Sequence, residues 1–279
     1  MSGEDATTDR RQGNLRLGGM AFRNGLLISG PTSWALAVRR PDGTIEVDSG
    51  RKPVLARGLA AKVPFLRGPL RLAEALLVLP VARWHVRSAR LAFEDPLVVG
   101  AIGAGFVANR LARRIRSTTS KELALAAISM SPALLSLRDR ELAAYHGAEH
   151  MAIAHHESGS ADPSEERKEH RRCGSNLLVP MLLLSGLAQA ATSLLFRKPG
   201  PVHRMTASLL AAGAAVELFA YADRNPDSAV AAAIHTPGML IQKYISTAQP
   251  TEDQLEVARA SLAAVLAAEG QASRSDSPH

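Results

Sequence analysis

The period of the apolar positions changes along this chain. Residues 1–14 are polar and Arg-bearing, with no apolar run of signal-peptide length, and read as a disordered cytoplasmic tail. Over residues 15–63 the period is two. Trp34, Leu36 and Val38 alternate with smaller residues, Pro41-Asp42-Gly43 supplies turn chemistry, and Ile45 and Val47 resume the alternation. Gly18, Gly19, Gly25 and Gly30 punctuate this stretch, as tight turns or close backbone approach require. No Gly-x-Gly-x-x-Gly opens a helix here, so the segment predicts a small β-layer rather than a nucleotide fold.

Residues 64–250 follow a helical pattern containing four apolar stretches. Residues 177–196 hold no charge over 20 residues, about the length that crosses ~30 Å of hydrocarbon at ~1.5 Å per residue. Residues 205–222 carry Glu217 as their sole charge. Residues 96–109 and 123–137 are uncharged but shorter, and each alone equally suits a buried soluble helix. Gly100, Gly103 and Gly105 allow a neighbouring helix to approach closely, and Pro132 predicts a kink. Thr251-Glu252-Asp253-Gln254 forms a capping box, after which Leu255, Ala258, Leu262, Val265 and Leu266 keep helical spacing. Residues 251–269 therefore predict an amphipathic docking helix, and residues 270–279 a disordered tail. The fold class is α+β, a small N-terminal β-layer followed by a mainly helical, membrane-associated bundle.

Composition sharpens this picture. With 279 residues, 46% hydrophobic and 21% charged, the chain can bury a core, and wholesale disorder and fibrous classes are excluded. The lone Cys173 excludes an internal disulfide and a four-cysteine zinc module. Lys and Arg outnumber Asp and Glu by 33 to 26, which suits nucleic acid, an anionic membrane surface or the flanks of membrane helices. Aromatics at 4% argue against a base-stacking surface, so no nucleic-acid partner is expected and membrane lipid is the favoured one. If all four stretches span, Arg110, Arg113, Arg114, Arg116 and Lys121 fall opposite the more basic side, against the positive-inside rule. Two spans at 177–196 and 205–222, with the rest on the cytoplasmic face of a cytoplasmic (inner) membrane, ease that conflict. The rivals are an all-soluble helical domain and a soluble nucleic-acid binder.

Candidate chemistry lies between Asp139 and Ser175. On a helical wheel of ~100° per residue, His146, Glu149, His150 and Glu157 share one stripe with Leu142 and Ile153, the apolar residues that face inward. His155 falls on the opposite, solvent-facing side, and His156 at the stripe's edge. Burying imidazoles and carboxylates together is costly unless they pair or bind a cation. Histidines at i and i+4 reach one ion, and His146-Gly147-Ala148-Glu149-His150 fits H-x-x-E-H, where the glutamate is a candidate general base toward a bound water. His170 and Cys173 follow as candidate soft ligands, and a thiolate nucleophile at Cys173 is the alternative. Glu157 and Glu217 are candidate supporting carboxylates, Glu217 because an ionisable group at membrane depth is a functional candidate. Ordinary hydrogen-bonded helix histidines, a buried structural cysteine and a salt-bridged Glu217 are the bland readings of the same residues.

Tyr145-His146-Gly147-Ala148-Glu149-His150 with His170-Arg171-Arg172-Cys173-Gly174-Ser175 resembles the YqhQ-like bacterial family, domain of unknown function 1385. Further matches are Gly18-Gly19-Met20-Ala21 with Gly25, Pro64-Phe65-Leu66-Arg67-Gly68, Pro237-Gly238-Met239-Leu240-Ile241-Gln242 and Gln254-Leu255-Glu256-Val257-Ala258, together covering about residues 15–268. The resemblance implies a multi-pass membrane protein, commonly labelled a predicted metal-dependent enzyme of no established reaction. Its motif carries over to His146, Glu149, His150, His170 and Cys173. This chain departs at Asn24 and Gln249, where the family has acids, and at Arg171 and Ser175, in place of proline and threonine.

The expectation is a divalent metal, zinc foremost, held by His146 and His150 with His170 or Cys173, Glu149 acting on a bound water, and hydrolysis as the reaction class. Its rival is a non-enzymatic membrane scaffold or assembly factor with a structural metal or a buried polar network. A closed four-ligand site would favour that rival, and an open coordination position the enzyme.

Overall fold

A computed structural model describes residues 15–55, 67–112, 114, 128, 132, 135, 136 and 138–275. The N-terminal tail 1–14, most of the apolar stretch 123–137, Arg113, Arg116 and Lys121, Pro64-Phe65-Leu66 and residues 276–279 lie outside the described residues.

Four strands form an antiparallel meander: β1 (Gly18–Phe22), β2 (Gly25–Ser29), β3 (Ser33–Arg39) and β4 (Ile45–Arg51), in the order β1-β2-β3-β4. The predicted turn closes β3 onto β4. Gly43 takes φ +86°, and Asp42 Oδ1 accepts from the Thr44 N–H at 3.0 Å. The alternation in β3 had suggested one buried face, yet Ser33 through Val38 are buried throughout. Both faces are covered. Phe22, Leu27, Trp34, Leu36 and Val38 pack with Val78, Ala82 and Val86, while Leu26, Ile28, Ala35 and Ala37 pack with Met151, Ala258 and Val265. The small alanines of β3 are the residues that let a helix lie close beneath the sheet.

Seven α-helices follow, α1 (Arg67–His85), α2 (Pro96–Ala112), α3 (Arg140–Ser158), α4 (Ser175–Leu195), α5 (Pro201–Arg224), α6 (Ala229–Ile241) and α7 (Glu252–Ser275), giving an α+β fold. Helix α1 covers one sheet face, while α3 and α7 cover the other. The start of α7 is as predicted. Gln254 Oε1 accepts from the Thr251 N–H at 2.9 Å, and Leu255, Ala258, Leu262 and Val265 are buried. Its end is not. The helix runs through Gly270 to Ser275, because Glu269 is anchored on the sheet and holds the last turns in place.

Helices α4 and α5 are long and apolar enough to cross a membrane, by length and composition. Their most apolar windows are only 11% and 28% buried, which is unlike the core helix of a soluble domain. Leu182, Leu183, Leu187, Leu194 and Leu195 of α4 all stand exposed. The shorter α2 likewise exposes Leu97, Phe106 and Val107.

Candidate functional site

Helix α3 begins at Asp139, whose Oδ1 accepts from the N–H groups of Glu141 and Leu142 and whose Oδ2 meets Arg23 Nε at 2.5 Å. It ends at Gly159 in the left-handed conformation, φ +69°. Between these caps, Ala143–Tyr145 and Gly147–Ile153 are buried almost all round, since the sheet, α7 and the 242–250 segment enclose the helix. His155 is accordingly half-buried rather than solvent-facing, with Nδ1 3.0 Å from Ser160 Oγ.

The two histidines are oriented from behind. His146 Nδ1 lies 2.8 Å from the Ser246 carbonyl and His150 Nδ1 2.7 Å from the Lys168 carbonyl. A carbonyl only accepts, so each ring carries its proton on Nδ1 and keeps the Nε2 lone pair for something else. The ring centroids are 4.4 Å apart. Cys173 Sγ is 3.4 Å from His146 Nε2, and one donor atom each from His146, His150 and Cys173 lie within 4.8 Å of one another.

The carbonyls are themselves held. After α6, a π-turn at Gln242–Ser246 is latched by Lys168, whose Nζ donates to the Lys243 and Thr247 carbonyls at 2.9 and 3.1 Å. Fully buried Gln242 accepts from the His170 N–H at 2.7 Å and donates to Ser175 Oγ at 2.9 Å, fixing the segment that carries Cys173. Gly147 admits the 247–250 loop, because a Cβ there would strike the Ala248 carbonyl.

Glu149 is 4% exposed, and among the described residues no group hydrogen-bonds its carboxylate. Burial pushes its carboxyl up to about 8, against the opposing pull of the His146 imidazole. Gly19 of β1 makes room for it, since a Cβ at that position would collide with the Glu149 side chain. His150 is held down to about 3 by burial first and the neighbouring His146 second, so it is a neutral donor. Burial also raises the Cys173 thiol, while hydrogen bonds from Ser175 oppose it. Two imidazoles, a thiol and a carboxylate without a hydrogen-bond partner among the described residues form a donor set that a divalent cation suits, since its charge favours both thiolate and carboxylate.

His170 is nearby but engaged elsewhere. Its ring is 5.7 Å from that of His150, with Nε2 3.2 Å from Glu157 Oε2, and Glu157 also pairs with Arg172. Glu217, half-buried on α5, does not line the cavity at the His/Cys group. That cavity, about 1000 Å³, runs from His146, Glu149, His150 and Cys173 past β1 to Lys52 and to Arg71 on α1. Ser246 also lines it, 8% exposed, its Oγ lacking a hydrogen-bond partner among the described residues. Sequence reasoning passed over Ser246, Lys168 and Glu269. A second hollow of about 600 Å³, under Trp84 and Phe93, is lined by apolar and arginine side chains.

Asn24 and Gln249 stand apart from this chemistry. Asn24 Nδ2 donates to the Arg39 and Ser88 carbonyls and its Oδ1 accepts from the Arg90 N–H, so it ties the β1–β2 turn to the segment after α1. Gln249 is exposed, and neither residue lines the cavity.

No curated protein and no solved structure matches the chain. Residues 135–268 match the family described as "Protein of unknown function (DUF1385)", a stretch holding every member of the His/Cys group and its carbonyl anchors. Through that region, just under half of its length, the chain is similar to the DUF1385 family.

Proposed function

We propose that this protein is a metal-dependent hydrolase of the cytoplasmic (inner) membrane, with α4 and α5 crossing the bilayer and the cavity on the cytoplasmic side. His146, His150 and Cys173 would hold the ion, with zinc the best match to two imidazoles and a thiolate. Bound there, the ion supplies Lewis acidity and lowers the pKa of water. Glu149 takes the proton from the attacking water, being buried, beside His146 and free of competing hydrogen bonds. The Ser246 and Lys168 carbonyls hold the imidazoles in one tautomer throughout. The buried wall of α3 limits bulk water around Glu149.

The observation that carries this reading is the three-donor group opening onto a cavity beside a carboxylate that no group among the described residues hydrogen-bonds. Three protein donors leave a coordination position for water or substrate, whereas a structural zinc is closed by four. His170, the candidate fourth donor, points Nε2 at Glu157, which supports the enzyme over the scaffold.

The test is elemental analysis of protein purified in detergent without chelator, wild type beside His146→Ala, Cys173→Ala and Glu149→Gln. Stoichiometric zinc is expected in the wild type and in Glu149→Gln and is lost in the other two. Ester and phosphoester cleavage, assayed on the same samples, is expected in the wild type alone. Absence of stoichiometric metal from the wild type sinks the reading.

A further inference from the structure

The far wall of the cavity carries two cations, Lys52 and Arg71, beside the carboxylate of Glu74. Lys52, just after β4, is half-buried and donates to the Gly30 carbonyl at 3.3 Å. Arg71, on the second turn of α1, lines the same cavity and makes no hydrogen bond or ion pair among the described residues. The two cations act on each other. Burial chiefly, with Arg71 adding to it, lowers the Lys52 ammonium, although Glu74 and Glu269 pull the other way. Like charges facing one hollow are relieved by an anion placed between them.

The apolar wall is equally specific. Leu178, in the first turn of α4, lines the cavity and is also 42% exposed. One turn on, Leu182 continues the same exposed face. On α1, Ala75 lines the cavity between Leu72 and Leu76, both exposed. The hollow thus passes from this charged wall onto side chains that the fold leaves uncovered on the two helices bordering it.

We propose that the cavity takes the headgroup of an anionic phospholipid, with its phosphate at Lys52 and Arg71 and its acyl chains along Leu178 and Leu182, so that the substrate class of the site is lipid. This rests on the reading of His146, His150 and Cys173 as the reactive end of the cavity. An unattached phosphate shares the headgroup chemistry but makes no use of the apolar wall.

Native mass spectrometry of the full chain in detergent tests the proposal, with phosphatidylglycerol and phosphatidylcholine added in equal amounts. The wild type is expected to retain phosphatidylglycerol over phosphatidylcholine by about thirtyfold, the scale for two basic side chains at an anionic headgroup. Lys52→Gln with Arg71→Gln should abolish the preference, and Lys52→Arg with Arg71→Lys should keep it. Arg71→Gln alone, at an exposed side chain without a hydrogen-bond or ion-pair partner among the described residues, should weaken it without disturbing the fold. His146→Ala should keep the lipid preference even where it loses metal, so failure of the metal reading and failure of this one are separately visible. Equal retention of the two lipids overturns the proposal, as does a preference that survives in the Gln variants. Displacement of the lipid by millimolar inorganic phosphate overturns it in favour of a soluble anion.

Discussion

His146 and Ser246, 100 residues apart in sequence, meet at 2.8 Å through the Nδ1 proton of one and the backbone carbonyl of the other. The π-turn that presents this carbonyl is pinned by Lys168, and the Lys168 carbonyl orients His150 in turn. One lysine therefore steadies both rings. Lys168→Met should weaken zinc binding about tenfold to a hundredfold, the usual cost of disturbing groups behind metal ligands. A chelator-competition titration reads this directly, and an affinity equal to wild type would remove Lys168 from the positioning role.

Gly147→Ala sets two effects of known size against each other. Alanine in a helix interior gains about 1 kcal/mol over glycine. Its Cβ would meet the Ala248 carbonyl, and Ala248 cannot retreat freely because its N–H donates to the Ala143 carbonyl at 2.9 Å. Overpacking of this kind costs about 1–3 kcal/mol. The clash should win, with lower stability in denaturant and weaker metal retention, since Ser246 sits on the displaced loop.

Asn24→Asp restores an acid at a position where the resembling family has one. Here the amide donates to two carbonyls, which a carboxylate cannot do. The variant should lose about 1–2 kcal/mol of stability by chemical unfolding, through two carbonyls left without a donor. It should gain no hydrolytic activity, because Asn24 does not line the cavity.

Asp162 caps the short 3-10 turn at Pro163–Glu165 and pairs with Arg259 of α7 at 2.9 Å. The Arg259 guanidinium first, then the Ser164 hydrogen bonds, hold its carboxyl well below the usual range. A depressed carboxylate stabilises the fold above its unfolded value, near about 4, and this contribution is lost as pH falls below that. Unfolding measured between pH 6 and pH 3 should therefore show a steeper acid loss in wild type than in Asp162→Asn. Parallel curves would mean that the pair contributes nothing.

The elements set by local chemistry were legible in the sequence. The Asp42-Gly43 turn, the Thr251 cap and the uncharged run of α4 each depend on residues within a few positions of one another. The i, i+4 spacing of His146 and His150 likewise told that the rings would be neighbours. What escaped was set by tertiary enclosure. Ala35 and Ala37 stand in the sequence only as the smaller residues of an alternating strand, and it is packing against α7 that buries them. His155 appeared solvent-facing because a wheel knows one helix and not what surrounds it. The choice between His170 and Cys173 could not be read from spacing either, since it turns on Glu157 drawing His170 Nε2 aside.

Glu269, near the far end of the chain, accepts from the N–H groups of Thr32 and Ser33 at 2.8 and 2.7 Å, closing the β2–β3 turn. The β2–β3 turn is thus closed by a side chain 237 residues further along the chain. Until α7 has been made, Leu26, Ile28, Ala35 and Ala37 have only α3 to share the covering of that side of their sheet. The meander therefore depends on a helix distant in sequence to bury its full hydrophobic layer. Helix α7 is in this sense a keystone, which both caps the β2–β3 turn and seals the sheet.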